Sequence, residues 1–121
     1  MAFDVLDAVN VERTKRNLRP LSMAKDLLGE AYLRAQELPK RFSHTRPDGS
    51  KCFTVMSNPG SYQGENIAAG QVNAAAVVKA WMNSPNHKEN ILSPNFTELG
   101  VGYYEATGAT YPYYWIQLFR G

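Results

Sequence analysis

The sequence has 121 residues and a single cysteine, Cys52, so an internal disulfide is excluded. A hydrophobic core must therefore stabilise the fold alone, and a chain of this length can supply one. No apolar run approaches the roughly 20 residues that a membrane-spanning helix needs. Charge of one sign is not in large excess: 13 basic and 11 acidic residues give a net charge of +2. This balance does not predict a nucleic-acid-binding surface.

Sequence-local catalytic and metal motifs are also missing. The chain has no His-Glu-x-x-His helix, no Cys-x-x-Cys pair and no Gly-x-Ser-x-Gly elbow. The first residues, Met1-Ala2-Phe3-Asp4-Val5, do not have the basic start and apolar run of a signal peptide. Two alternatives follow: the protein stays inside the cell, or the sequence is that of a mature domain with an added methionine.

Apolar residues at helical spacing predict two helices in the first third of the chain. The first covers residues 3–17 and ends before Pro20, and the second runs from an N-cap at Ser22 to residue 38. The remaining predicted elements are, in order, a short strand at 51–56, a bend at 64–69, a helix at 71–83, a helical turn that begins at Ser84-Pro85, and two alternating strands joined by a hairpin at 105–112. Because helices come before and between strands, we predict an α+β fold, with an antiparallel sheet covered by helices, in one domain of residues 1–121.

The only two histidines of the chain each lie in an unusual local setting. His44 is in a predicted loop between two hydroxyl residues. His87 is at the third position of a capped turn, where the helix N-terminus lowers the pKa of an imidazole and keeps a lone pair available. Glu65 follows Gly64, which allows a sharp bend, and Glu98 begins a predicted strand. Two imidazoles and two carboxylates could coordinate a divalent metal such as zinc or share protons, although each residue taken alone is more often structural.

Five stretches, in order along the chain, carry a resemblance to a known family. They are Phe42–Gly49, with its Ser-His-Thr; Gly64–Ala68, which begins Gly-Glu-Asn; Trp81–Leu92, with Ser-Pro-Asn-His-Lys-Glu-Asn-Ile-Leu; Phe96–Gly102; and Tyr114–Phe119. In these blocks the chain resembles bacterial extracellular members of the CAP superfamily, which includes cysteine-rich secretory proteins, antigen 5 and plant pathogenesis-related proteins. The resemblance implies a three-layer α-β-α sandwich and a secreted protein.

The resemblance also implies a shallow cleft of two histidines and two acidic residues, which binds zinc or another divalent ion in some members. His44 matches the first cleft histidine, Glu65 the glutamate of the Gly-Glu-Asn block, and His87 the histidine of the bacterial Ser-Pro block. His44 and His87 are thus the candidate metal ligands, and Glu98 is the remaining acidic candidate. Eukaryotic members carry a histidine where this chain has Asn95, so the ligand order differs. The residues predicted to support the cleft are Asn66, Asn90 and Asn95.

Three functions remain open at this point. The first is a binding module for a small hydrophobic ligand, such as a lipid or sterol, or for a cell-surface component, with a divalent cation as an optional cofactor. The second is a weak hydrolase, in which His44, His87 or a metal-bound water acts on the substrate while Glu65 orients an imidazole. The third is a polar cluster with a structural role only. We rank the binding module first and predict a monomer.

Overall fold

The structure, a computed structural model, describes residues 1–121. Four α-helices and four strands follow each other along the chain: α1 (Ala2–Thr14), β1 (Ser22–Met23), α2 (Lys25–Glu37), β2 (Gln63–Ala69), α3 (Ala74–Met82), α4 (Pro85–Ile91), β3 (Glu98–Glu105) and β4 (Tyr113–Arg120). A 3₁₀ helix, Cys52–Val55, lies in the long connection between α2 and β2. None of the helices is long and apolar enough to cross a bilayer.

The four strands form one mixed sheet in the order β1-β3-β4-β2. The three long strands pair antiparallel with one another, and β3 and β4 form the expected hairpin. The two-residue strand β1 instead runs parallel to β3. It belongs to the connection between α1 and α2, where the N–H groups of Ser22 and Ala24 donate to the carbonyls of Thr97 and Leu99. The α+β class is therefore confirmed, with one parallel pair added.

The sheet separates two hydrophobic cores, which makes three layers. One core, around Trp81, Trp115 and Phe119, fills the space between the sheet and helices α1, α3 and α4. The other, around Leu27 and Ile116, lies between the opposite face and α2. Strand β4 is buried along nearly its whole length because both of its faces are covered and both of its edges are paired.

Two local predictions were wrong, and both concern the neighbourhood of the site. Residues 64–69 are not a bend but most of strand β2, which pairs with β4 along its full length. Gly64 serves close packing rather than bending, because a Cβ there would lie 2.8 Å from the ring of Phe96. Most of the predicted strand at 51–56 is instead the 3₁₀ helix Cys52–Val55, and none of the four strands pairs with it. Only an isolated bridge between Thr45 and Lys51 has β geometry there.

The predicted helices exist, with shifted ends. Helix α2 begins at Lys25 after the N-cap Ala24, because Ser22, the predicted cap, is used by β1. Helix α1 ends at Thr14 rather than at residue 17. Helix α4 begins at Pro85, directly after Ser84, as the sequence predicts.

Candidate functional site

The candidate site lies at the free edge of the sheet, along strand β2. Successive side chains of a strand point to opposite faces, so neighbouring residues of β2 reach different layers. Glu65 points to the α2 side, together with Ile67. Asn66 points to the α4 side, together with Ala68. Residues from both outer layers therefore meet around this edge.

Glu65 is held in a buried double ion pair. Arg34 of α2 donates from Nε to Glu65 Oε2 at 2.8 Å and from Nη2 to Oε1 at 3.0 Å. The two side chains are 0% and 1% exposed. Burial alone would lower the pKa of the Arg34 guanidinium, but the hydrogen bonds to Glu65 and Glu37 outweigh burial and raise it. The carboxylate of Glu65 is thus fixed in place and its charge is neutralised.

His44 is oriented by this carboxylate. Its Nδ1 lies 2.9 Å from Glu65 Oε1. Because a carboxylate oxygen accepts hydrogen bonds, Nδ1 is the ring nitrogen that donates to Glu65. The side chain of His44 is 56% exposed, which leaves the rest of the ring open to solvent.

A second set of ion pairs fixes the loop that carries His44. Arg34 Nη1 donates to Glu37 at 2.8 Å, and Arg34 Nη2 donates to the carbonyl of Ser43 at 2.8 Å. Glu37 also accepts from Nη2 of Arg46 at 2.7 Å and from its Nε at 3.1 Å. Positive and negative side chains therefore alternate in the order Arg46, Glu37, Arg34 and Glu65. Because Ser43 and Arg46 are both bonded to side chains of α2, the loop is attached to this helix on both sides of His44.

His87 lies on α4, and its backbone carbonyl accepts a hydrogen bond from Asn66 of β2. Burial lowers the pKa of its imidazole, and the charge of His44 lowers it further. The direction agrees with the sequence prediction, although the cause is burial and a neighbouring imidazole. In the structure a hydrogen bond joins His44 to Glu65, and His87 lies near enough to feel the charge of His44.

A network of buried amides positions α4 against β2. Asn66 Nδ2 donates to the carbonyl of His87 at 3.1 Å and to Gln117 Oε1 at 2.9 Å. Asn90 Nδ2 donates to Asn66 Oδ1 at 2.9 Å. Gln117 is fully buried on β4, directly opposite Asn66 in the strand register, and the sequence patterns did not single it out. The side chains of Asn66 and Asn90 thus join α4 to β2.

Two predicted members lie elsewhere. Glu98 Oε1 accepts from Arg120 Nε at 2.9 Å, and Arg120 also pairs with Asp26. No hydrogen bond or ion pair joins Glu98 to a histidine, because Glu98 opens β3 on the far side of β4 from β2. The side chain of Asn95 is exposed and forms no hydrogen bond. The constellation expected from the sequence is therefore corrected from four residues to three.

Cys52 is a buried neighbour of this group that the sequence patterns did not connect with it. Ligand atoms of His44, Cys52 and Glu65 all lie within 4.8 Å of one another, so this group could hold a metal ion. Burial raises the pKa of the Cys52 thiol to about 12, with a further contribution from the charge of Glu65. The thiol is therefore protonated at neutral pH.

Comparison with known proteins identifies the family of this chain. The sequence model of the Cysteine-rich secretory protein family, CAP, matches residues 6–119. The chain belongs to the CAP family. Its relatives include the uncharacterized protein YkwD of Bacillus subtilis, which is 42% identical over an alignment of 122 positions that covers 97% of this chain and 46% of YkwD. The membrane protein YlbC of the same organism is 32% identical over 81% of this chain and 30% of its own length. This CAP chain thus spans less than half of either relative.

Solved structures show the same CAP fold. An extracellular protein with an SCP domain from Bacillus anthracis has a TM-score of 0.86 and 28% identity, covering 99% of this chain and 40% of that protein. An outer surface protein from Borrelia burgdorferi has a TM-score of 0.81 and 24% identity, covering 95% of this chain and 87% of that protein. Venom allergen-like protein 4 from Schistosoma mansoni has a TM-score of 0.63 and 17% identity, covering 96% and 80%. The last two support the fold alone.

Proposed function

We propose that this CAP protein is a ligand-binding module whose cleft holds a divalent cation between the imidazoles of His44 and His87. The observation that carries the proposal is the hydrogen bond from His44 Nδ1 to a Glu65 carboxylate that Arg34 immobilises. Histidines that bind metals commonly donate their second ring nitrogen to a carboxylate, which fixes the tautomer and raises the basicity of the ligating nitrogen. Neutral imidazoles suit zinc best among the common divalent ions.

The donor set fits two imidazole ligands better than a His-Cys-Glu set. The oxygens of Glu65 already accept hydrogen bonds from Arg34 and His44, so Glu65 orients a ligand rather than serving as one. The thiol of Cys52, whose pKa is raised to about 12, would have to lose a proton inside the core. Two nitrogen ligands leave coordination positions free for water or for groups of the bound molecule. The cation would supply Lewis acidity and a positive charge to the cleft.

No specific observation favours the hydrolase hypothesis. A nucleophile next to a base should be within hydrogen-bond reach of it. The hydroxyl of Ser43 instead accepts from the N–H of Thr45 at 3.0 Å, and Ser84 makes no side-chain cap bond. Neither serine nor Cys52 is hydrogen-bonded to an imidazole through its side chain.

The cation proposal is tested by isothermal titration of zinc into protein without a histidine tag. We expect one zinc per chain and loss of binding in both His44→Ala and His87→Ala. Glu65→Gln should weaken binding by roughly 10–100-fold, as changes in the residues behind metal ligands do. The matched control is Asn86→Ala, which changes an exposed residue next to His87 and should bind like the original chain. Equal zinc affinity in the two histidine variants and the control would contradict the proposal.

A second binding function is favoured by an apolar groove between α1 and α3. This groove has a volume of about 440 Å³ and is lined mainly by small and apolar side chains: Ala8, Val11, Ala75, Val78 and Met82, with Glu12, Lys79 and Asn83 at its polar positions. Ligand pockets commonly have volumes of roughly 300–1,000 Å³ and a mostly apolar lining. We propose that the groove binds one acyl chain of a fatty acid or lipid.

A fluorescent fatty acid tests the groove. Val11→Asp places a charge in the lining and should abolish the fluorescence change, whereas Phe3→Asp, at a similarly exposed position outside the lining, should preserve it. If Val11→Asp and Phe3→Asp both bind the fatty acid, or if both fail to bind it, the groove is not the binding site. The histidine variants should bind the fatty acid normally, so the two functions are separable.

We further propose that the protein works outside the cell as a monomer formed by one domain, residues 1–121. Support comes from the name of one structural neighbour at 28% identity, an extracellular protein with an SCP domain. Cell fractionation with an antibody checks the location, and light scattering checks the monomer.

A further inference from the structure

Helix α4, which carries His87, is too short to be stable by itself. It has seven residues, Pro85–Ile91, and isolated helices shorter than about 12–15 residues are marginal in water. The last carbonyls of a helix also have no partner inside it, so they need donors from elsewhere. The place of α4 in the fold therefore depends on bonds to side chains of other elements.

Arg13, in the last turn of α1, supplies donors at the C-terminal end of α4. Its Nη1 donates at 2.8 Å to the carbonyl of Ile91, the last residue of the helix, and at 2.8 Å to the carbonyl of Ser93. Its Nη2 donates to the carbonyl of Phe96 at 3.3 Å, and its Nε donates to the carbonyl of Arg19 at 2.8 Å. One guanidinium thus joins α1 to the segment that leads from α4 to β3.

The surroundings of Arg13 differ from those of the other buried arginines. Arg34 and Arg120 pair with carboxylates, whereas Arg13, which is 1% exposed, forms no ion pair and bonds only to carbonyls. Burial accordingly lowers the pKa of its guanidinium. The C-terminal end of a helix carries a partial negative charge, which stabilises a cation placed there. The charge of Arg13 is therefore compensated by the end of α4 and by the carbonyls that follow it.

The polar attachments on the other side of α4 all lead to strand β2. Asn66 Nδ2 donates to the carbonyl of His87 at 3.1 Å, and Asn90 of the helix donates to Asn66 Oδ1 at 2.9 Å. Attachments to one strand leave the helix free to pivot about that strand. Arg13 adds an independent attachment from α1 at Ile91, which follows His87 by four residues, or about one helical turn.

We infer that Arg13 is a positioning residue for His87: it fixes the C-terminal end of α4, and so the direction of the helix that carries this imidazole. Because Arg13 bonds only to backbone carbonyls, it acts through the helix and not at the cation. The inference rests on the proposed binding of a cation by His87, and it names a residue on another helix that this binding requires.

Isothermal titration of zinc into variants of Arg13 tests the inference. Arg13→Met removes the charge and the four donated bonds, and Arg13→Lys keeps the charge but lacks the planar fork of donors. We expect both variants to bind zinc roughly 10-fold more weakly, at the lower end of the range for groups that support metal ligands.

The matched control is Asn10→Ala. Asn10 also lies on α1 and also bonds to backbone, since its side chain donates to the carbonyl of Leu21 at 3.0 Å and accepts from the N–H of Leu21 at 2.7 Å. It forms no hydrogen bond with α4. Asn10→Ala should therefore lower the Tm but keep the zinc affinity of the original chain.

NMR of the metal-free protein gives a measurement that does not depend on zinc. In Arg13→Lys we expect faster hydrogen exchange at the amides of Lys88 and Leu92, whose bonds belong to the α4 segment. We also expect the ring signals of His87 to shift at pH 8, where an imidazole with an ordinary pKa is neutral. The amide of Leu38, at the end of α2, is the reference and should exchange as in the original chain. Asn10→Ala should change none of these signals.

The outcomes separate this inference from the proposed function. Weaker zinc binding in the Arg13 variants alone supports the positioning role, and an equal zinc affinity in these variants and in Asn10→Ala overturns it. If Arg13→Met does not fold, Arg13→Lys decides. If the original chain binds no zinc, the cation proposal fails and the NMR measurement decides the inference. Unchanged α4 amides and an unchanged His87 ring in Arg13→Lys would then overturn it.

Discussion

Replacing Glu65 by Gln is the sharpest single test of how the site is built. The substitution preserves the shape of the side chain and removes its charge. One carboxylate oxygen becomes an NH₂ group, which then faces either the guanidinium of Arg34 or the Nδ1 proton of His44, and both are donors. The substitution therefore leaves a buried guanidinium without its principal partner.

The expected cost follows from burial. Removing one partner of a buried ion pair typically costs about 3–5 kcal/mol, because the other charge remains out of water. Arg34 keeps its bonds to Glu37 and to the carbonyl of Ser43, so we expect the lower end, about 3 kcal/mol. For a domain of this size, that corresponds to a fall in Tm of roughly 10 °C.

Urea denaturation followed by circular dichroism measures the change. The matched control is Glu98→Gln, which removes the same charge from an ion pair with Arg120, where Asp26 remains as a second partner. Glu98 is 39% exposed in this pair, and solvent-exposed pairs contribute at most about 1 kcal/mol. If Glu65→Gln loses no more free energy of unfolding than Glu98→Gln, at unchanged m-value, the buried pair does not hold the site together.

Three further predictions concern single residues. Burial lowers the pKa of His87, so its imidazole binds a proton more tightly in the unfolded chain than in the folded one. The free energy of unfolding should therefore fall as the pH drops below about 6.5. In urea titrations at a series of pH values, His87→Asn should flatten this dependence. The thiol pKa of Cys52 is raised to about 12, so Cys52 should resist alkylation by iodoacetamide at pH 8 in the folded protein and react in urea. Mass spectrometry follows the alkylation, and fast alkylation of the folded protein would contradict the burial of Cys52. Gly102→Ala should lower the free energy of unfolding by about 3 kcal/mol, because the new Cβ would overlap the backbone of α2. Gly29→Ala has open space around it and should leave the free energy of unfolding unchanged or raise it by up to about 1 kcal/mol. Thermal melts compare the two variants.

The parts of the fold that the sequence predicts well are those governed by local physics. The β3–β4 hairpin follows from strict alternation of apolar positions in both strands, and α4 follows from Ser84-Pro85 at its start. Strand β2 was missed because its segment is rich in glycine and alanine, which have low strand propensity. Its conformation is imposed by a partner strand about 50 positions later in the chain, through pairs such as Asn66 with Gln117.

The site shows the same division. The family resemblance groups His44, Glu65 and His87, and the structure joins the first two by a hydrogen bond. Glu98 lies elsewhere, because a sequence does not reveal which edge of the sheet a strand occupies. That information is in the strand order, which puts β4 between β2 and β3. A residue at the start of β3 therefore cannot reach the free edge of β2, whatever its chemistry.

Arg34 is the residue that the sequence could have revealed. It lies on the same helical stripe as Leu27, Ala31 and Leu38, which forms the buried face of α2. An arginine on such a stripe must find an anionic partner in the core, because an unpaired buried charge is very costly. Few acidic residues are available to it outside the exposed helix surfaces, and Glu65 sits in an otherwise apolar and amide stretch. The stripe therefore predicts a buried anionic partner for Arg34, and in the structure Glu65 is that partner, with both of its oxygens bonded to the guanidinium.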